Sequence, residues 1–251
     1  MIKASREAKV HSSWIRPNEP YEKALRNFVQ VTLSSDTGNA FLREFVPFQK
    51  MIAWYGIINS LVQTTLKATT PGIPDFYQGS EIWDFSLVDP DNRRPVDFEL
   101  RIKLLDEITA RENDPTLIEE LVSKPQDGRI KMFLIHKLLV FRRRLEILFA
   151  NGRYVPLLVN GTHQDSVVAF MRNTSESLAI VVVPRMMTKV VKYGQMPFGR
   201  GVWGDTAIRV PVELIGRILK NCLTSDTIEV LCETISVGDI LTKFPVAVLE
   251  G

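Results

Sequence analysis

At 251 residues, 45% of them hydrophobic, the chain can fill a sizeable core as one large domain or two modest ones. Its 31 basic and 29 acidic residues leave a formal charge of +2, so net electrostatics single out neither nucleic acid nor an acidic membrane as partner. The 2 cysteines, Cys222 and Cys232, form no CxxC pair, and His11, His136 and His163 are scattered, so no zinc constellation can be assembled and no metal or cofactor is expected.

The opening MIKASREAKV lacks the apolar run of a signal peptide, and residues 1–16 read as a weakly specified lead-in. Asn18 is a good N-cap, and Pro20 is tolerated in a first turn because its missing N–H would have had no partner there. A helix is therefore predicted from Asn18 or Glu19, with Leu25, Phe28, Val29 and Leu33 as its apolar stripe. Gly38-Asn39 breaks it, and Pro47 marks a second break or kink. Helical spacing resumes from Phe48 to Ala68: Met51, Trp54, Tyr55, Ile58, Leu61, Val62 and Leu66 share one side, and Ile52 and Ile57 widen it. Much of this helix is expected to be buried. Trp54 and Tyr55 could stack on a sugar, but aromatics on an apolar helical face are more often core. Asn59, Ser60 and Gln63 interrupt the most apolar long segment, so no membrane span is predicted. A cytoplasmic protein with reduced, partly buried thiols follows as the expectation, with a single disulfide left open.

The stretch from Thr70 to Phe98, TPGIPDFYQGSEIWDFSLVDPDNRRPVDF, is where chemistry concentrates. Pro71, Gly72 and Pro74 bar helix at its start. Ile73 to Tyr77 reads as a short strand ended by Gln78-Gly79, and residues just past such a strand sit where α/β folds bind ligands. Those residues are Glu81, Trp83, Asp84, Asp89, Asp91, Asn92, Arg93 and Arg94. They fit a solvated loop pinned by its own salt bridges. They also fit a polar pocket floor, because arginine forks and carboxylates grip hydroxyl-rich ligands through paired hydrogen bonds. Against the EF-hand template, Arg94 stands where the invariant glycine belongs and Leu100 where the closing glutamate belongs, so calcium is not expected.

Glu99 to Arg111 is the next predicted helix, and Asn113-Asp114-Pro115 supplies a stop, a cap and a restart. A short helix over residues 115–123 ends at Lys124-Pro125. Asp127 to Ala150 is the best-defined helix, with Ile130, Leu134, Leu138, Phe141, Leu145 and Leu148 as its stripe and Asn151-Gly152 as its stop. Arg142-Arg143-Arg144, late in that helix, reads as a solvated basic face. Beyond Gly152 the period changes. Strands are predicted at Tyr154–Val159, Val167–Met171, Leu178–Val183, Ala207–Val212, Thr227–Leu231 and Phe244–Leu249, divided by turns such as Asn160-Gly161. Leu178–Val183 is apolar at every position, which suits a strand covered on both faces. The domain boundary is placed at this change of composition, with residues 1–151 mainly helical and residues 152–251 an antiparallel β domain. A whole (β/α)8 barrel needs eight strand–helix units in ~250 residues. The helical half offers one convincing strand, so it cannot be a complete barrel.

The run PGIPDFYQGSEIWDFSLVDPDNRRPVDF resembles the eighth strand and following loop of the maltooligosyltrehalose synthase family, within the alpha-amylase family of glycoside hydrolases. Pro71-Gly72-Ile73-Pro74 with Tyr77-Gln78-Gly79 and Glu81 is the broadly shared part. Trp83-Asp84 joined to Asp89-Pro90-Asp91-Asn92-Arg93-Arg94-Pro95 is similar to the synthases in particular. Ser5-Arg6-Glu7-Ala8-Lys9, Asn59-Ser60-Leu61, Val181-Val182-Val183-Pro184-Arg185 and Trp203-Gly204-Asp205-Thr206 also resemble that family, whereas Leu214 to Glu233 matches loosely. The resemblance implies an α+β chain, the mainly helical closing part of a (β/α)8 barrel followed by a C-terminal antiparallel β-sandwich. It implies a maltooligosaccharide substrate whose reducing-end α-1,4 linkage becomes an α,α-1,1 linkage by intramolecular transglucosylation. The catalytic aspartates and glutamate it implies belong upstream of Met1, so no catalytic residue is assigned here and the chain alone is expected to be inactive. Glu81, Trp83, Asp89, Asp91, Asn92, Arg93 and Arg94 are the expected substrate-binding residues. Exposed barrel edges would favour self-association. A stand-alone carbohydrate-binding or scaffold module, and a fragment of a trehalose-releasing hydrolase, are the alternatives.

Overall fold

Asn18 caps the helix that its position predicts: its side chain accepts from Tyr21 N at 3.2 Å, and α2 runs Glu19–Thr32 with Pro20 in its first turn. The computed structural model describes residues 1–35, 38–86 and 93–251. It divides into two compact units, Met1–Ala53 and Trp54–Gly251.

In the first unit the predicted lead-in forms a helix of its own, α1 (Ile2–Ala8), closed by Lys9 in the left-handed region at φ 56°. A bidentate pair joins it to α2: Arg6 Nε and Nη2 each reach a Glu22 carboxylate oxygen at 2.7 Å. Ser12 Oγ adds a third bond to Glu22 at 2.6 Å and itself accepts from Asn18 N. Glu22 is only 1% exposed, and its charge is tolerated because a cation and three hydrogen bonds answer its two oxygens. The next helix, α3, spans Ala40–Thr69 and runs through Pro47. A single proline removes one hydrogen bond and crowds one carbonyl, and here the residues on both sides outweigh it. The helix predicted from Phe48 therefore starts at Ala40. Its predicted face is only partly covered: Phe48 and Ile52 stay exposed in the first unit, whereas Ile58, Leu61 and Val62 are buried in the second.

The second unit holds α4 (Phe98–Ala110), α5 (Thr116–Ser123), α6 (Arg129–Arg144) and α7 (Glu146–Asn151). Asp97 caps α4 through Leu100 N at 2.9 Å. The helix predicted over residues 127–150 breaks at Leu145 (φ −109°, ψ 45°), and neither glycine nor proline marks the place. Its stripe is nevertheless right, since Ile130, Leu134, Leu138, Phe141 and Leu148 are all buried. Each such side chain withdrawn from water contributes about 1.5–3 kcal/mol. The basic run is a different matter. Arg144 pairs with Glu250, and Arg142 donates to carbonyls, so only Arg143 of the three behaves as solvated face.

Two antiparallel sheets follow. Strands β1 (Arg153–Pro156), β3 (Val167–Asn173), β4 (Leu178–Pro184), β6 (Ile218–Asn221), β7 (Thr227–Glu229) and β9 (Ala247–Glu250) form one, in the order β1-β3-β4-β9-β6-β7. Strands β2 (Val159–Asn160), β5 (Ala207–Arg209) and β8 (Thr234–Ser236) form the other, in the order β2-β5-β8. The strand predicted over 154–159 is thus shared between two sheets, and β6 and β8 were not legible. Strand β4, flanked by β3 and β9, is buried at every position, as its unbroken apolar run demands. Helices α6 and α7 and both central strands contribute to one hydrophobic cluster, in which Phe133 lies 5.8 Å from Phe244.

No ladder forms at residues 73–77, and Ile73 is 96% exposed. A strand exists only with a partner, and no described strand lies alongside it. The aromatic pair at 54–55 is framework: Tyr55 Oη donates to Val191 O at 3.0 Å and Trp54 meets Tyr193 edge-on. Both cysteines are free, and Cys232 is exposed rather than partly buried.

Candidate functional site

Four cations and an indole fix the segment that follows α3. Lys67 Nζ donates to Asp75 O at 2.9 Å and lies 4.9 Å from the Phe76 ring centre. Arg142, on α6, reaches Ala68 O at 2.9 Å and Gly72 O at 2.5 Å. Arg101, one turn into α4, spreads its fork over Glu81 Oε2 at 2.9 Å, Gly79 O at 2.7 Å and Asp97 O at 3.0 Å. Trp83 Nε1 donates to Pro125 O at 2.8 Å, and Lys131 reaches Ile82 O at 3.4 Å while standing 5.7 Å from the Trp83 ring. Cations on carbonyls thus give several acceptors of a proline-rich segment their partners without any sheet.

Two glycines permit this packing. Gly79 has φ +90°, and a Cβ there would lie 3.2 Å from a Val96 methyl. Gly128 has φ +83°, and a Cβ would fall 2.9 Å from Ile82 Cβ and 3.1 Å from Trp83 N, so only glycine lets the N-terminus of α6 touch the segment.

Glu81 and Trp83, both expected to bind substrate, are half-buried and engaged by Arg101 and Pro125. Arg93 and Arg94 are exposed. Asp89, Asp91 and Asn92 lie outside the described residues. Asp84 accepts from Ser86 N at 2.9 Å; hydrogen bonds from Ser86 hold its carboxyl below the usual range, and the charges of Lys131 and Arg101 add to this. Burial pushes the Lys131 ammonium downward, Lys67 adds repulsion, and Asp84 and Glu81 oppose both. Charges of both signs thus gather near Trp83, with Lys131 against its ring. Such an arrangement can orient hydroxyls; an ion-paired Glu81 is not placed to be a nucleophile. Among the described residues no group of three His, Cys, Asp or Glu side chains is arranged to hold a metal ion.

Arg101, Lys131, Lys67 and Arg142 were absent from the expected site because all four lie on the flanking helices. Arg101 follows the cap Asp97 by four residues, but spacing alone does not tell which neighbour such a side chain meets.

No family model matches the chain. Two curated Mycobacterium tuberculosis sequences, from different strains and both named as maltooligosyl trehalose synthases, are each 31% identical to it over 207 residues. The solved maltooligosyltrehalose synthase of Arthrobacter ramosus superposes with a TM-score of 0.75 at 30% identity, over 98% of this chain. In sequence and in fold its neighbours are maltooligosyltrehalose synthases. It represents a C-terminal part, spanning 24% of the length of the curated synthases and 29% of the Arthrobacter chain. An Anoxybacillus alpha-amylase, 17% identical with a TM-score of 0.50 over 77% of this chain, shares the fold alone. Mixed helix and antiparallel sheet is therefore common to the synthases and to an alpha-amylase.

Proposed function

We propose that this chain supplies the closing part of a synthase that turns the reducing-end α-1,4 bond of a maltooligosaccharide into an α,α-1,1 bond. Residues 1–151 then complete the catalytic (β/α)8 barrel and residues 152–251 form its β-sandwich. The observation that carries this reading is the 31% identity to the named synthases, joined to a fold match over 98% of the chain. In the whole enzyme a carboxylate attacks the anomeric carbon as a second carboxyl protonates the leaving O4. The glucose so released turns, and its anomeric hydroxyl attacks the glycosyl–enzyme, passing its proton to the second carboxyl, now a carboxylate, as the ester to the first breaks. A retaining pair needs its carboxyls ~5 Å apart, and these groups belong to segments outside this chain.

The part played here is retention. Water competes with the held glucose for the same intermediate, so a wall that grips hydroxyls and sheds water decides the product. We assign Asp89, Asp91, Asn92, Arg93 and Arg94 to help line that wall, on the resemblance of their motif, with Glu81 and Trp83 on the limb that precedes it. In the full-length enzyme, Arg93→Ala or Arg94→Ala is expected to raise the ratio of free glucose to trehalose-type product from maltopentaose. An unchanged ratio counts against the assignment. The chain by itself is expected to yield no non-reducing product.

A further inference from the structure

Strands β1 and β3 pair Arg153 with Asn173 and Val155 with Met171. Side chains alternate along a strand, so these four share one face of the sheet and Arg172 takes the other. On the first face Leu178, Leu214 and Pro211 join Val155 and Met171 as the lining of a groove of about 340 Å³, the size of a small-molecule site. The β3–β4 hairpin, Thr174 to Ser177, forms part of its rim, with Glu213 and Arg217 completing it.

Thr174 and Ser177 bond each other, but other polar groups there have no partner among the described residues. Asn173 Oδ1 is buried with no hydrogen-bond partner among the described residues, and an acceptor left so costs roughly 1–3 kcal/mol. Among the described arginines of the second unit, Arg143, Arg153 and Arg217 alone make no hydrogen bond, ion pair or ring contact through the guanidinium. Two of these three line the groove. The carboxylates of Glu176 and Glu213 are likewise uncommitted. Two cations against two anions leave no net charge on the lining, which favours neither an anion nor a cation as ligand. Forks that donate, carboxylates that accept, and an apolar floor match a neutral sugar, whose hydroxyls do both and whose ring carries C–H faces.

We propose that this groove is a second saccharide site, on the β lobe, taking a short α-glucan. The polyol class follows from the groove; naming the glucan rests on the proposed function. The test is an NMR titration of the ¹⁵N-labelled chain with maltotriose. Saturable shifts are expected at the amides of Thr174–Leu178 and Leu214–Arg217. Replacing both exposed arginines, Arg153→Ala with Arg217→Ala, is expected to weaken binding by about tenfold or more, as loss of charge-assisted hydrogen bonds predicts, with an unchanged melting temperature. No shift at these amides, or a double variant that binds like the parent, overturns the site. Equal shifts with inorganic phosphate overturn the neutral-ligand assignment, and an equal response to cellotriose overturns the α-glucan. Turnover is not read, so failure here and failure of the product-ratio test on Arg93 and Arg94 are separate results.

Discussion

Arg172 is 1% exposed on β3, and every acceptor it finds is a carbonyl. It donates to Thr69 O at 3.2 Å, at the C-terminus of α3, and to Leu148 O, Phe149 O and Gly152 O at 3.3, 3.1 and 2.9 Å, at the C-terminus of α7. One guanidinium thus answers carbonyls at two helix ends, where a positive charge is favoured, and shares one of them, Leu148 O, with Gly152 N. Burial lowers its pKa, and Arg142 adds to the effect. Replacement by methionine keeps an apolar stem and removes the fork. Hydrogen bonds to a charged group are worth about 1.5–3 kcal/mol each, offset by the several kcal/mol it costs to dehydrate the cation. Losing one partner of a buried charged interaction costs roughly 3–5 kcal/mol, and the lower end applies here because the carbonyls are neutral. At about 2–4 °C per kcal/mol for a chain of this size, a drop near 3 kcal/mol lowers the melting temperature by about 6–12 °C. Differential scanning calorimetry reads this directly. Hydrogen exchange should quicken around residues 69–72 and 148–152 before the β4 core, and Arg172→Lys, with one compact donor head, should fall between the two. Arg172→Met melting at or above the parent temperature would refute the reasoning: burying the cation would then cost more than its four bonds return.

The Glu22 carboxyl is held down at about 2, first by the Arg6 fork and then by Ser12, against an ordinary 4.5. A lowered folded-state pKa adds stability that is complete above about 4.5 and fades as pH falls toward 2. Trp14, which stacks on Arg6 at 5.0 Å, should report loss of the α1–α2 pairing in that window by fluorescence, and Glu22→Gln should abolish the transition. The thiols differ as well. Burial pushes Cys222 up to about 12, while hydrogen bonding with Thr234 lowers the exposed Cys232, so a thiol-reactive dye at pH 8 should label Cys232 alone in the native chain. Fast labelling of both would contradict the described packing.

Sequence settled whatever depends on neighbours along the chain. The cap at Asn18, the stripe from Ile130 to Leu148 and the apolar run of β4 are local patterns, and each lies where its pattern puts it. The Thr70–Phe98 segment was also legible as the place where polar chemistry gathers, because proline and glycine forbid helix and the charges crowd together. Tertiary structure decided what depends on partners. Residues 73–77 carry strand composition without a strand to pair with, and Pro47 is overridden by the helix on either side of it. The division of residues 153–160 between two sheets depends on distant strands β3 and β5. Above all, the groups holding the candidate site, Lys67, Arg101, Lys131 and Arg142, come from three helices spread over 76 positions. A long cationic side chain can reach in many directions, and only the packing of helices and sheet selects the carbonyl it meets.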